Sequence, residues 1–355
     1  MKIVGIGDSL IPETFIKEGF KEIEKIGVEV KTIQWNLKNY EELQNINLLV
    51  ENNGSEAYEP PEYILDAIKD ADVIITQFCT ITKKVIDYCK NLKVIGVLRG
   101  GIENVNIKYA DEKGIVVFNT PGRNSTAVAD FTVGLLLAEC RNIAKSHYEL
   151  KNGNWVRDYT NAGCVPDLFE KTVGIIGLGQ IGMKVAKRLK AFDMNILAYD
   201  PFVKESPEGI KMVSLEELMK ESDFVTIHAR LTKETEKIIS KELIYSMKPT
   251  AYFINSARSG LVDEDALYQA LKEKRITGAA LDVFNVEPPE KDYPLVTLDN
   301  VTITPHLAGG TNDAFTNSPK LLSKEMIKLW EKQESRYIAN KETYRKLIKE
   351  KNSIL

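Results

Sequence analysis

Histidine and cysteine are scarce in this chain, and long apolar runs are missing. Of 355 residues only three are histidine, His147, His228 and His306, and four are cysteine, Cys79, Cys89, Cys140 and Cys164. The cysteines are scattered and make no C-x-x-C pair, which argues against a disulfide framework or a metal site and fits a reducing cytoplasm. Each is expected to be buried filler. The most apolar helix candidate, Val128–Ala138, is too short to cross a bilayer, and the apolar run Ile3–Ile6 is cut by Asp8. Neither a membrane span nor a signal peptide is therefore expected. An excess of one charge is also lacking: a net charge of −4 gives no reason to expect nucleic acid or an anionic membrane as partner. What remains is the composition of a globular protein, on a chain long enough for two domains.

The most informative stretch is Val173–Asp200. An apolar, β-branched run, Val173–Ile176, reads as a buried parallel strand. Gly177, Gly179 and Gly182 follow at G-x-G-x-x-G spacing, and a helix-period segment with Ile181, Val185, Ala186 and Leu189 on one face runs on to Phe192. A second strand, Ile196–Tyr199, ends on Asp200. In a dinucleotide site Gly177 makes the tight turn, Gly179 lets the backbone approach a pyrophosphate, and Gly182 lets helix pack on strand. The helix N-terminus offers N–H groups to the phosphates. Asp200, about 20 residues beyond the glycines, suits the ribose hydroxyls and repels a 2′-phosphate, so NAD is expected rather than NADP. Three glycines alone could mark an ordinary turn; the strand, helix and acid around them favour the cofactor.

Residues 1–118 read as an α/β unit, with strands at Lys2–Ile6, Val28–Ile33, Val73–Thr76, Lys93–Val97 and Ile115–Phe118 and helices around Pro12–Lys25, Pro61–Lys69 and Lys83–Lys90. Gly5-Ile6-Gly7 reads as a strand-end turn, and the polar Glu51–Pro61 as a surface loop. Gly100 and Gly101 follow the fourth strand, where spacing alone does not choose between a plain turn and a close approach to ligand. Arg99 beside them suits a carboxylate or phosphate. The helix after Asn124 or Ser125 is apolar nearly all round, which predicts burial on more than one side, within a large core or at a subunit contact, and hints at a dimer. From Val173 onward strands and helices alternate, as in a doubly wound parallel sheet. A long amphipathic helix near Lys320–Lys332 is expected to return to the first domain, with hinges near 119–125 and 305–311, and the Lys/Glu-rich end reads as a solvated helix or fraying tail.

Three strand ends carry the chemistry. Ala251–Asn255 leads to Ala257 and Arg258, Thr277–Leu281 leads to Asp282 and Glu287, and Val301–Thr304 leads to His306. Parallel sheets bind ligands outside the carboxyl ends of their strands. An Arg, a Glu and a His delivered there suit hydride exchange between NAD and a 2-hydroxy acid. Arg258 would hold the carboxylate and polarise the carbonyl, His306 would give or take the hydroxyl proton, and Glu287 would keep the imidazolium available. The bland alternative is a structural Arg–Glu pair beside an unrelated histidine. His147 reads as a surface residue and His228 as a packing residue.

With these residues in hand the chain resembles the D-isomer-specific 2-hydroxyacid dehydrogenases over about residues 60–315. The likeness lies in GGIENV, NTPGRNSTAVADFTVGLLL, VGIIGLGQIG, YDP, INSARSGLVDEDAL, GAALDVFNVEP and TPHLAGG. The resemblance implies a flavodoxin-like substrate domain, residues 1–119 plus 309–355, and a Rossmann NAD-binding domain, residues 120–308. It implies catalytic roles for Arg258, Glu287 and His306 and cofactor contacts from Gln180, Ile181, Asp200, Ala257, Arg258, Asp282, His306 and Gly309. It also implies substrate contacts from the backbone of Gly100 and Gly101, and a homodimer through the 125–150 region. An NADH-sensing, corepressor-like binding protein is the alternative from another class, and a phosphoglycerate dehydrogenase the alternative within the enzyme class.

Departures bear on the substrate. Arg99 replaces the family's usual small residue, and Gln77-Phe78-Cys79-Thr80 replaces the R-S-A-T of phosphoglycerate dehydrogenases. Gln77 and Arg99 are therefore expected to favour a longer, polar or second-anion-bearing acid. Arg230 places an unexpected cation near the adenosine end. The length leaves no expected room for a serine-sensing regulatory domain, and Glu287 stands where formate dehydrogenase has glutamine.

Overall fold

The computed structural model describes residues 1–331, 333 and 335–351. The chain divides into two compact units, Met1–Arg123 with the segment from Thr311 onward, and Asn124–Gly310.

In the first unit β1 (Lys2–Gly7), β2 (Glu29–Gln34), β3 (Val73–Thr76), β4 (Val94–Val97) and β5 (Val116–Phe118) form a parallel sheet in the order β2-β1-β3-β4-β5. This is the flavodoxin-like order. Because side chains alternate across a strand, the sheet feeds two cores. Val4, Ile6, Ile74, Ile95 and Val97 enter one, and Ile3, Val73, Ile75, Val94 and Val116 the other. Each such side chain is worth about 1.5–3 kcal/mol of transfer free energy when fully buried.

Four expectations for this unit need correction. Gly5 lies inside β1 and Gly7 is its last residue, so the turn begins only beyond them, at Asp8. A side chain at Gly5 would strike Ile16, and one at Gly7 the backbone of Glu13, so both are glycine because the helix Glu13–Gly19 lies close. Residues 51–61 are not all loop: a helix runs Tyr40–Asn53, capped by Asn39 Oδ1 accepting from the Glu42 N–H, and a 3-10 turn follows at Ser55–Ala57. The C-terminal amphipathic helix begins eight residues earlier than its pattern predicts, spanning Asn312–Trp330 with Pro319 inside it. The Lys/Glu-rich end does form a helix, Lys341–Lys351, exposed at Lys341, Glu342, Arg345 and Lys346, but it does not fray: Tyr337, Ile338 and Tyr344 are buried against the second core. Asn340 Oδ1 accepts from the Val117 N–H at 2.8 Å, and Phe118 bridges Ile338, along the free edge of β5. Residues 352–355 of that tail lie outside the described residues.

The second unit holds β6 (Thr172–Ile176), β7 (Asn195–Tyr199), β8 (Lys211–Met212), β9 (Phe224–Ile227), β10 (Tyr252–Asn255), β11 (Gly278–Leu281) and β12 (Val301–Ile303). All pairs are parallel, in the order β12-β11-β10-β9-β6-β7-β8. The winding reverses between β6 and β9, which opens a crevice at their carboxyl ends. The helix Ser125–Cys140 buries Ala129, Val133, Leu135 and Leu136 in this unit's core, leaving Thr126, Asp130 and Gly134 exposed. Its apolarity is thus largely used inside the unit. Exposed apolar surface lies just after it instead, on Ile143, Tyr148, Leu150, Trp155, Val156, Val165 and Phe169. Among the described residues no helix is long and apolar enough to cross a membrane, and no group of three His, Cys, Asp or Glu could hold a metal ion.

Candidate active site

The glycine turn joins β6 to the helix Gln180–Lys190. Gly177 has φ 91°, and a side chain there would meet the backbone of His228 and Ala229 at about 3 Å. A Cβ on Gly182 would collide with the Gly177 carbonyl, so this glycine seals helix against turn. Gly179 differs: nothing lies within 4 Å of where its Cβ would be. Its smallness serves no packing need inside the protein and leaves the helix N-terminus open to a ligand. As N-cap, Gly179 supplies no side-chain hydrogen bond, while Lys187, Arg188 and Lys190 occupy the last turn, where they complement the helix dipole. Gln180 and Ile181 stand in the first turn of that helix. The arrangement fits a pyrophosphate.

Asp200 ends β7 and braces the same turn. Its Oδ2 accepts from the Leu178 N–H at 2.8 Å and its Oδ1 from the Phe202 N–H at 2.9 Å. Each carboxylate oxygen retains capacity for a further donor, as a ribose hydroxyl would be. At the end of β9, His228 pairs its Nε2 with Thr226 Oγ1 at 3.0 Å while its Nδ1 is buried without a partner. Burial pushes this imidazole down to about 3, so it stays neutral. Arg230, two residues on, is exposed. His147 is exposed on the helix Ile143–Lys151.

The ends of β10, β11 and β12 present the other groups. Asn255, the last residue of β10, ties the following turn. Its Oδ1 accepts from the Ala257 N–H, and its Nδ2 donates to the Arg258 carbonyl, both at 2.9 Å. Arg258 Nη1 donates to the Ala257 carbonyl at 2.7 Å. Ser256 pairs with Thr132 at 2.7 Å, fixing the turn to the helix Ser125–Cys140.

Asp282, fully buried at the end of β11, accepts from Thr304 Oγ1 at 2.5 Å and the Leu307 N–H at 2.9 Å through Oδ1, and from the Ala308 N–H at 2.8 Å through Oδ2. It grips the loop on both sides of His306, whose backbone has φ 53°. Glu287 Oε1 accepts from the Phe284 N–H at 3.0 Å, and Oε2 faces His306 Nδ1 at 2.8 Å. A carboxylate only accepts, so Nδ1 carries the hydrogen and Nε2 is left to hold or release a proton. Burial works to raise the Glu287 carboxyl. The hydrogen bonds from His306 and Phe284, with the charges of His306 and Arg258, outweigh it and hold the group below its ordinary range. Gly309 completes the loop, and a side chain there would collide with the Asn124 amide.

In the first unit, Gln77 follows β3 and Arg99, Gly100 and Gly101 follow β4. Gln77 is fully buried, and both its amide atoms lack a partner. Arg99 is met from three sides: Asn47 at 2.6 Å, Glu51 at 2.7 Å and Glu103 at 3.0 Å, with its guanidinium 5.0 Å from the Phe78 ring centroid. The Gly100 carbonyl accepts from Asn119 Nδ2 at 2.6 Å. A side chain at Gly101 would first meet the carboxylate of Glu103 and the guanidinium of Arg99, the far ends of flexible side chains.

Within the second unit the predicted residues thus gather at the carboxyl edge of one sheet. Sequence reasoning missed Asn255 and Thr304, and it gave Asp282 a cofactor contact without its grip on the histidine loop. An Asn closing a strand and a Thr two residues before a histidine were the available signals.

Comparison with known proteins bears on the same residues. The sequence profile described as "D-isomer specific 2-hydroxyacid dehydrogenase, NAD binding domain" matches residues 133–308. A D-3-phosphoglycerate dehydrogenase of Methanocaldococcus jannaschii is 46% identical over 273 residues, 76% of this chain and 51% of that protein. The chain spans about half the length of that relative. A hydroxypyruvate reductase of Thermotoga maritima is 41% identical over 263 residues, 73% of this chain and 85% of that protein. Among solved structures, the NAD-complexed D-isomer specific 2-hydroxyacid dehydrogenase of Lactobacillus delbrueckii ssp. bulgaricus superposes with a TM-score of 0.75 at 25% identity, covering 96% of this chain and all of that one.

Proposed function

Because the chain belongs to the D-isomer-specific 2-hydroxyacid dehydrogenase family, we propose that it interconverts a D-2-hydroxy acid and its 2-keto acid with NAD. The observation that carries this reading is the His306–Glu287 pair, 2.8 Å apart, with the Arg258 charge acting on the same carboxylate. Gly177, Gly179, Gln180, Ile181 and Gly182 would hold the pyrophosphate, and Asp200 the ribose. Ala257, Arg258, Asp282, His306 and Gly309 would border the nicotinamide end. Bound there, NADH would supply the hydride to C2 of the keto acid and NAD would accept it from the hydroxy acid.

The side chains do the rest. Arg258 binds the substrate carboxylate and polarises the C2 carbonyl. His306 Nε2 gives its proton to the carbonyl oxygen as the keto acid is reduced, and takes it back from the hydroxyl in the reverse direction. Glu287 accepts from Nδ1, fixing the tautomer and favouring the imidazolium. The Gly100 and Gly101 N–H groups, which donate to nothing among the described residues, would receive the substrate carboxylate.

A homodimer through the 125–150 region and the segment after it is part of this reading. It is supported by Trp155, Tyr148 and Leu150, which are 80%, 67% and 59% exposed. Four unpaired cysteines support a reducing compartment, the cytoplasm.

The test is NADH oxidation by purified protein across a panel of 2-keto acids that includes pyruvate, glyoxylate, hydroxypyruvate and phosphohydroxypyruvate. At least one should be reduced with NADH preferred to NADPH. Tight NADH binding with no turnover on any keto acid would instead favour a dinucleotide-sensing binding protein.

A further inference from the structure

Two arginines of the first unit lie close enough for the charge of one to act on the other, and they are treated very differently. Arg99 is surrounded by Glu51, Glu103 and Asn47. Its charge is answered inside the unit, which leaves it little attraction for a ligand. Arg123 has no ion pair among the described residues. Its Nη1 reaches only the Ala314 carbonyl, at 3.4 Å, and its guanidinium lies over the Phe315 ring, 5.4 Å from the centroid. Asp8 attracts it without touching it. Burial, and then the Arg99 charge, pull the guanidinium down to about 10. No Arg123 nitrogen is buried without a partner, so the donors not spent inside the unit stay open to an external acceptor, on a cation that burial has already stripped of part of its water.

Its position in the chain says where those acceptors would come from. Arg123 is bonded directly to Asn124, the N-cap of the helix Ser125–Cys140. The Asn124 amide occupies the space beside Gly309, three residues after His306. In the first unit the Arg123 N–H donates to the Thr120 carbonyl at 3.3 Å, and the Thr120 N–H to the Arg99 carbonyl at 2.9 Å, which joins its turn to the Gly100-Gly101 segment. Within the first unit Arg123 is therefore tied through short links to the glycines expected to receive the substrate.

We propose that Arg123 anchors a second anionic group at the far end of the substrate, so that the preferred 2-keto acid carries a distal carboxylate or phosphate. This rests on the reading of the protein as a keto-acid reductase and names the substrate class of that site. A guanidinium with most of its five N–H donors unspent is suited to bidentate capture of either anion. The Phe315 ring beneath it fixes its plane.

Two measurements on the cofactor-loaded protein test it, the first with NADH as hydride donor and the second with NAD. The first is steady-state reduction of two keto acids with neutral tails, pyruvate and hydroxypyruvate, and two with anionic tails, 2-oxoglutarate and phosphohydroxypyruvate. The second is calorimetric binding of 2-hydroxyglutarate and 3-phosphoglycerate to the NAD complex. Wild type should favour one anionic-tailed substrate, and which one identifies the anion as carboxylate or phosphate. Arg123→Ala should lower the anionic-to-neutral ratio of kcat/KM about 100-fold, mainly through KM, and Arg123→Lys should recover part of it. Arg99→Ala should leave that ratio within about threefold. Preference of the wild type for a neutral tail, or equal losses on all four substrates in both Arg123 variants, would overturn the assignment. Binding of the anionic ligands that depends on Arg123, with no keto acid reduced at all, would keep the anchor and sink the reductase reading.

Discussion

His306 holds a backbone conformation that a residue with a side chain seldom takes, φ 53°, at a cost of about 1–3 kcal/mol. The three hydrogen bonds gathered by Asp282 hold the loop in place, and the result is an imidazole aimed at Glu287. Asp8 in the first unit shows what happens to an acid without such support. Its Oδ1 accepts from the Leu10 and Ile11 N–H groups, both at 2.9 Å, but Oδ2 is buried without a partner. Burial raises the carboxyl from 3.8 to about 6 against those hydrogen bonds and the Arg123 charge. The folded state therefore holds this proton more tightly than the unfolded chain. The stabilising contribution is complete below the ordinary carboxyl value and is lost as pH rises through about 6. Asp8→Asn keeps the Oδ1 acceptor and removes the ionisation. Denaturant unfolding should show the stability of the variant gaining on wild type by as much as about 3 kcal/mol from about pH 4 to about pH 8. An unchanged difference across that range would mean that Asp8 titrates normally.

At the scale of elements, the glycine turn separates two kinds of necessity that look alike in sequence. Gly182 is required by the fold, because its Cβ would enter the Gly177 carbonyl, whereas Gly179 borders open space. Gly182→Ala should therefore lower thermal stability by several degrees, corresponding to a loss of about 1–3 kcal/mol. Gly179→Val should leave the melting temperature of the protein without NAD nearly unchanged while weakening NAD binding at least tenfold. If both variants behaved alike in melting and in calorimetric titration, the glycines would be doing one job.

The same contrast explains what could be read in advance. The strands that carry the site, β3, β4, β6, β7 and β9 to β12, were legible because buried parallel strands are short apolar runs, and the site residues directly follow them; β8, two residues at an edge, was not. Nor was the helix Tyr40–Asn53, since Leu48 and Leu49 are exposed beside the buried Leu43, Ile46 and Val50 and blur the helical period. Pro319 hid the first turns of the helix Asn312–Trp330, because a proline ordinarily marks a helix boundary. Here it packs against Gly19, where any side chain would collide with it. Partners distant in sequence were also illegible: nothing local to Arg99 announces Glu51 and Asn47, about fifty residues earlier.

For the whole molecule, the apolar surface after the helix Ser125–Cys140 is the feature left without an internal purpose. Tyr148, Leu150, Trp155, Val165 and Phe169 would be costly in water and are spread over one continuous stretch of chain. If they meet a second copy, sedimentation should give a dimer of about 80 kDa from chains of 40.0 kDa, and Trp155→Glu with Tyr148→Glu should yield a folded monomer. A monomeric wild type would remove the dimer from the account.

Everything functional turns on whether the imidazole of His306 moves the substrate proton. The most direct measurement is turnover and NADH binding side by side in wild type and His306→Ala, with the best keto acid of the panel. Loss of that proton transfer should lower kcat about 10²–10⁴-fold while the dissociation constant for NADH changes little. Turnover close to wild type in the variant would contradict it.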